Sequence, residues 1–420
     1  MSQVDPAGRA SSGELPGRPG SEGPLAGLSV VEFATFVAGA YTTTLMADLG
    51  AEVIKIEPPE GDPARLVAPY LAGESRAFLA WSRNKRSLAL DLKAAASRPI
   101  LRRLVERADV LTENFRPGLT EKLGIDYATL RPLNPRLIYC SNTAFGASGP
   151  WQERAAFDAV LQAIGGIAQG NARFADRPVL STPLVVDFHA AMLAFSAVLA
   201  ALYHRERTGE GQKVETSLLQ SALSVTPHSF VHSPDTPEEG PLGSAPYNLY
   251  PTREGLLCVA AITPKSWRAL LQALEAPELA EDPRFRLVPD RIANAAALRE
   301  ELESRLKART AEEWETLLAG QGVPCGRVRT YREFFDSPQV VHLGMQAEIP
   351  HPTIGRLRLP SVPIHFEKTP GRPRRPAPML GEHTVEILRE LGYEERVIER
   401  WLDEKIVFQK ALPHDAPTVG

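Results

Sequence analysis

The amino-acid sequence predicts an α/β protein with a large doubly wound domain and a smaller α+β domain. Three observations carry that expectation. Short β-branched runs alternate with helix-like segments between residues 28 and 141. The alternation recurs at the length of a βαβ unit, about 30 residues. Near residue 224 the texture changes to a Pro/Gly-rich acidic connector, HSPDTPEEGPLGSAPY, and a new set of elements follows.

Residues 1–24, MSQVDPAGRASSGELPGRPGSEGP, are rich in Gly, Pro and Ser and lack an apolar stretch. They read as a disordered leader, not a signal peptide. The large domain is expected over 25–223. In it, 28–33 (LSVVEF) and 51–57 (AEVIKIE) are strands, separated by the loop TFVAGA and a helix TTTLMADLG that Gly50 closes. Next come a strand at 87–92 (SLALDL), a helix at 97–107, a strand at 109–113 (DVLTE), a helical stretch at 127–133 and a strand at 137–141 (LIYCS). The small domain is expected over 226–328. It holds a strand at 256–261 and helices at 265–274, 295–309 and 311–321, the last begun by Thr310 and Glu313 as a capping box. Residues 331–410 read as a linker and a return to the large domain. They include strand-rich 348–366, the Pro-rich TPGRPRRPAP and one amphipathic helix, LGEHTVEILRELGYEERVIERWLDE. Residues 411–420 are a tail.

Composition is that of an ordinary globular protein, 43% hydrophobic and 23% charged with a formal net charge of −4. It offers no electrostatic attraction to nucleic acid or to an anionic membrane. No run of about 18 uncharged apolar residues marks a membrane span. Cys140, Cys258 and Cys325 form no CxxC pair. That argues against a disulfide framework or a metal site and fits the reducing cytoplasm.

One carboxylate stands where the apolar pattern least expects it. In PLVVDFHAAMLAFSAVLAALYHRERTGEGQ, Asp187 opens a long apolar helix. As an N-cap it would accept hydrogen bonds from the first N–H groups and meet the positive end of the helix dipole. Both effects favour the ionised form and lower its pKa. An ionised carboxylate is also a nucleophile that needs no general base. Capping and covalent chemistry thus ask for the same placement.

The surrounding blocks bear on that choice: LSVVEFATFVAGAY, LGAEVIKIEPPEGDPAR, RNKRSLALDLK, ADVLTENFRPGLTEKLGIDY, FGASGPWQERAAFDAVLQAIGG, LVVDFHA, HRERTGEGQKVETSL, GVPCGRVRTYREFFDSPQV and PMLGEHTVEIL. In this order they resemble the class III coenzyme A-transferases. That family includes formyl-CoA, carnitine and several dicarboxylate CoA-transferases, and also α-methylacyl-CoA racemase. The resemblance covers residues 25–407. It implies a Rossmann-like large domain and an interlocked, ring-like homodimer. It implies acyl-CoA and a free carboxylic acid as substrates, with no permanently bound cofactor and no metal. Asp187 matches the aspartate that attacks the thioester, giving an aspartyl–acyl anhydride and then an aspartyl-CoA thioester.

The resemblance also implies a CoA site. Asn114, Phe115 and Lys122 match nucleotide contacts, and Leu90 and Leu218 match lining positions. Phe36, Val37 and Ala38 approach the acyl end. Pro58 stands where some members carry an arginine, and Arg65 is the candidate replacement, with Arg154 a further cation. Asn84, Lys85 and Arg86 are either additional candidates or a solvated turn. Val37 replaces a glutamine of the formyl-CoA branch, and GPLGSAPY keeps only Gly240 and Gly243 of its glycine run. With Phe157, the pocket is mainly apolar and suits an acid larger than formate.

Three alternatives compete. The racemase branch of the family that this sequence resembles carries a proton-transferring histidine where Phe157 stands and a glutamate where Thr263 stands, leaving His189 as the nearby base here. A non-catalytic CoA-binding protein would not need Asp187. A nicotinamide dehydrogenase would use Glu57 on a ribose, but TFVAGAY has one glycine where the phosphate-binding turn needs three.

Overall fold

The structure, a computed structural model, describes residues 22–175, 177–235 and 243–409. Most of the expected leader, the 411–420 tail and the middle of the connector with Gly240 lie outside the described residues. The chain divides into two compact units, 1–230 with 342–420, and 231–341.

In the large unit six strands run parallel: β1 (Ser29–Glu32), β2 (Glu52–Glu57), β3 (Lys85–Leu90), β4 (Val110–Glu113), β5 (Ile138–Thr143) and β6 (Lys213–Ser217). Their order is 3-2-1-4-5-6, and Val407–Phe408 pairs antiparallel with the outer edge of β3. The main helices are α1 (Ala38–Asp48), α2 (Ser97–Arg107), α3 (Asp158–Ile164), α4 (Val185–Thr208) and α5 (Leu218–Val225). Alternation along each strand builds two cores. Val31, Ile54, Leu88 and Leu111 pack with Leu101, Leu104 and Val105 of α2. Val30, Val53, Val110 and Cys140 pack with Leu45 and Met46 of α1 and with Ala194, Phe195 and Val198 of α4. Helices therefore cover both faces, as a doubly wound sheet requires.

Several elements depart from the sequence expectation. β3 begins at Lys85, two residues early, because the RNKRS cluster is neither a solvated turn nor a free phosphate-binding patch. Lys85 and Lys55 both pair with Glu32 at 2.8 Å, and Lys55 also pairs with Asp62 at 2.8 Å, all fully or almost fully buried. Arg86 bridges Glu52 and Glu390. Asn84 donates to Asp48 and accepts from the backbone N–H groups of Arg374 and Arg375. β6, KVETS, went unrecognised as a strand. The expected tail helix is two helices, Thr384–Glu390 and Glu395–Asp403, broken where Gly392 adopts φ +83°. α4 is the one helix among the described residues long and apolar enough to cross a membrane. Here Ala190, Ala194, Phe195 and Val198 are buried inside the unit.

The small unit has a three-stranded antiparallel sheet, Cys325–Arg327, Leu256–Val259 and Asn248–Pro251 in that order. Trp267, Leu270, Leu302, Leu306, Trp314 and Leu318 fill its core. Thr310 and Glu313 form the capping box of Ala311–Gly320. The unit reaches past residue 328 because Arg329 pairs with Glu315 at 2.7 Å and Arg327 with Glu333 at 2.9 Å. Tyr331–Phe335 therefore belongs to it and not to a linker.

Candidate active site

Strand order reverses at β1: its chain neighbour β2 lies on one side, and β4 lies on the other. The loops leaving the carboxyl ends of β1 and β4 diverge there and open a crevice. Asn114 bridges the two loops. Its Oδ1 accepts from Thr35 N at 2.9 Å and its Nδ2 donates to Thr35 O at 2.8 Å. Gly39 is required by close approach, since a Cβ there would sit 2.3 Å from that of Ala34. Phe36 is held at φ +56°, a strained conformation for a bulky residue. Lys55 Nζ donates to Ala34 O at 2.7 Å, Phe36 N donates to Asp62 Oδ1 at 3.3 Å, and the Phe36 ring meets Phe157 edge-on at 5.4 Å. The buried ion-pair network thus braces the loop that walls the crevice.

A cavity of about 250 Å³ occupies the crevice. It brings together Asp187, Phe36, Val37, Ala38, Asn114, Phe115, Arg154 and Leu218, with Phe157 at its wall. Three expected contacts are elsewhere. Arg65 donates to both carboxylate oxygens of Glu57 and lies 3.8 Å above the Phe78 ring, so its charge is already engaged. Leu90 has no exposure and packs in the α2-side core. Lys122 is exposed on the short helix Leu119–Leu123 and does not line the cavity. Arg116, Asn142, Thr143 and Gln152 line it without having been singled out. Arg116 had a signal, because it sits inside the ENFRPG block.

Asp187 is not the N-cap. It is the third residue of α4 and 8% exposed. The cap comes from Asp158, the first residue of α3, whose Oδ2 accepts from Val186 N at 2.7 Å and Asp187 N at 3.0 Å. Gln162 donates to the other oxygen of Asp158 and is itself tied to the Ser181 backbone. The first N–H groups of α4 therefore serve a second acid. Burial first, and the Asp158 charge second, push the Asp187 carboxyl up to about 7. This reverses the lowered pKa expected of a cap. A carboxylate so destabilised is more basic, hence a better nucleophile once ionised.

The rival chemistries find their residues occupied. His189 Nε2 lies 2.9 Å from Ser224 Oγ. Phe157 offers only its ring, and Thr263 caps the helix Pro264–Ala273 with Ser266. Glu57, the acid a dinucleotide site would use, holds Arg65 and Ser87. Among the described residues no group of three or more His, Cys, Asp or Glu is placed to hold a metal.

Known proteins resemble this chain in sequence and in fold. The family model described as CoA-transferase family III matches residues 25–384. Human succinyl-CoA:glutarate CoA-transferase is 32% identical, over 94% of this chain and 93% of its own. Succinyl-CoA:mesaconate CoA-transferase of Haloarcula marismortui is 36% identical over 89% and 97%. Among solved structures, a CAIB/BAIF family protein from Brucella suis superimposes with a TM-score of 0.77 at 34% identity, covering 88% of this chain and all of that one. A hypothetical protein from Mycobacterium tuberculosis gives 0.78 at 32%, covering 87% of this chain and 100% of its own. Motifs, fold and relatives agree over nearly the whole length, and the chain belongs to CoA-transferase family III.

Proposed function

We propose that this CoA-transferase moves CoA from succinyl-CoA to a second carboxylic acid, with Asp187 carrying the acyl group between them. The observation that carries this reading is a buried carboxylate in the switch-point crevice, its pKa raised by burial and by Asp158. Ionised Asp187 attacks the thioester carbon, a C–O bond forms, and the C–S bond breaks to leave an aspartyl–acyl anhydride and CoA thiolate. The thiolate attacks the aspartyl carbonyl, releasing the first acid and giving an aspartyl-CoA thioester. The incoming carboxylate displaces the thiolate as a second anhydride, and thiolate attack on its acyl carbon releases the new acyl-CoA. No step consumes a proton, so no general base is needed. Succinyl-CoA is proposed because relatives acting with glutarate, mesaconate and D-citramalate all name it. The proposal extends to two chains per molecule, supported by the exposed apolar Leu199 and Tyr203 on α4.

Incubation with a panel of acyl-CoAs and free acids, read by mass spectrometry of new thioesters, tests the reading. Exchange is expected with succinyl-CoA as donor, and its absence with every pair contradicts the proposal. The pH profile gives a second check. Because the attacking species is the carboxylate and its pKa is raised, kcat/KM for the donor falls about tenfold per pH unit on the acid side. It levels off above about 7. A limb at the ordinary aspartate value of about 4 contradicts the assignment.

Arg116 and Arg154 bring positive charge to an otherwise mainly apolar wall. Arg154, its guanidinium 4.8 Å from the Trp151 ring, is proposed to hold the distal carboxylate of a dicarboxylic acyl group. Arg154→Ala is expected to raise KM for a dicarboxylic acceptor about tenfold and leave a monocarboxylic one little changed. Equal weakening of both would place Arg154 on CoA instead.

A further inference from the structure

Asn142 stands at the carboxyl end of β5, lines the cavity that holds Asp187, and is 5% exposed. Neither its Oδ1 nor its Nδ2 has a hydrogen-bond partner among the described residues. A buried polar group left unsatisfied is destabilising, whereas an apolar side chain of similar shape carries no such penalty. Its strand neighbours fix the side it faces. Ile138 and Cys140 share a core cluster with Ala194, Phe195 and Val198 of α4. Side chains two apart share a face, so Asn142 also faces α4, at the carboxyl ends of the strands and on the side of the sheet whose helix carries Asp187 in its first turn.

The proposed chemistry lacks a donor at this spot. Attack on the thioester moves an electron pair onto the carbonyl oxygen, and that charge needs N–H groups aimed at it. The N–H groups of Val186 and Asp187 are committed to Asp158. At the first turn of α1, Ala38 lines the cavity, and N–H groups in a first turn lack intrahelical partners.

We propose that Asn142 Nδ2–H is the side-chain donor to the acyl oxygen as it becomes an oxyanion, acting beside the first turn of α1. The assignment rests on the reading of Asp187 as nucleophile. The neutral amide donates without giving up its proton. The oxygen's electron pair then re-forms the carbonyl as the C–S bond breaks and the thiolate leaves.

The test uses the full-length enzyme and two near-isosteric variants, Asn142→Leu and Asn142→Asp. Asn142→Leu is expected to match or exceed the wild-type Tm, since it removes an unsatisfied amide. Its kcat for transfer from succinyl-CoA is expected to fall about 100-fold, with KM for the donor within about threefold. Asn142→Asp, which sets a negative charge against the oxyanion, falls further and keeps the shape should the leucine disturb packing. A kcat within twofold of wild type in a folded Leu variant overturns the assignment, as does a loss confined to KM. Wild-type exchange is measured in the same assay: a wild type that transfers nothing overturns the reading of Asp187 as well. A wild type that transfers no better than the Leu variant overturns this inference alone.

Discussion

Asp187→Ala is expected to abolish CoA transfer, with kcat reduced at least about 10⁴-fold, while CoA binding stays within about tenfold of wild type. A loss this large is expected because, in the proposed route, this side chain carries the acyl group. Quenching wild-type enzyme with the donor thioester present adds mass to the peptide containing Asp187; the Ala variant gains none. Turnover retained in that variant contradicts the covalent route. The same substitution has a stability signature with a definite sign. The folded-state pKa of Asp187, about 7, lies above its unfolded value. Its contribution to stability is thus fully present below the unfolded pKa, about 4, and is lost as pH rises through about 7. The Tm of Asp187→Ala relative to wild type therefore improves between pH 5 and pH 8. A difference independent of pH would show that the acid is not strained by its surroundings.

Asp158 separates two effects that a single carboxylate combines. It caps α4 and, by its charge, helps hold the Asp187 pKa up. Asp158→Asn keeps an acceptor for the Val186 and Asp187 N–H groups but removes the charge. The acid limb of kcat/KM is expected to move to lower pH, with at most about a tenfold loss at the plateau, because a less basic carboxylate attacks more slowly. Asp158→Ala removes the cap as well. It is expected to cost about 1–2 kcal/mol of stability and about 100-fold in kcat, because the turn carrying the nucleophile loosens. Coincident pH limbs in wild type and Asp158→Asn would assign the raised pKa to burial alone.

What could be read from the sequence followed local rules. The Gly50 stop of α1, α2 and the Thr310–Glu313 box depend on residues a few positions apart, and the structure places them where periodicity and capping put them, while α1 itself starts at Ala38, inside the segment TFVAGA expected as a loop. The crevice loops were legible as blocks. The misses share one cause, a partner distant in the chain. Asp158 reaches Asp187 across 29 positions, so nothing local separates a nucleophile from a cap. Lys85 and Arg86 looked solvated because charge is exposed by default, and their carboxylates lie on other strands and on the returning tail. Leu90 matched a family position and Arg65 was the candidate replacement for a family arginine, but the structure engages one in packing and the other with Glu57. Asn142 carried no signal: only three-dimensional accounting of its empty amide reveals it.

The strand Val407–Phe408 seals the open side of β3, and Ile398 and Trp401 join the core packed beneath it. The two halves of this domain are therefore separated along the chain by the whole of the small unit. Until Val407–Phe408 docks, the outer edge of β3 offers bare backbone N–H and C=O groups to any passing strand. A chain cut before Val407 is therefore expected to aggregate more readily than one that carries this strand, as light scattering at equal concentration would show.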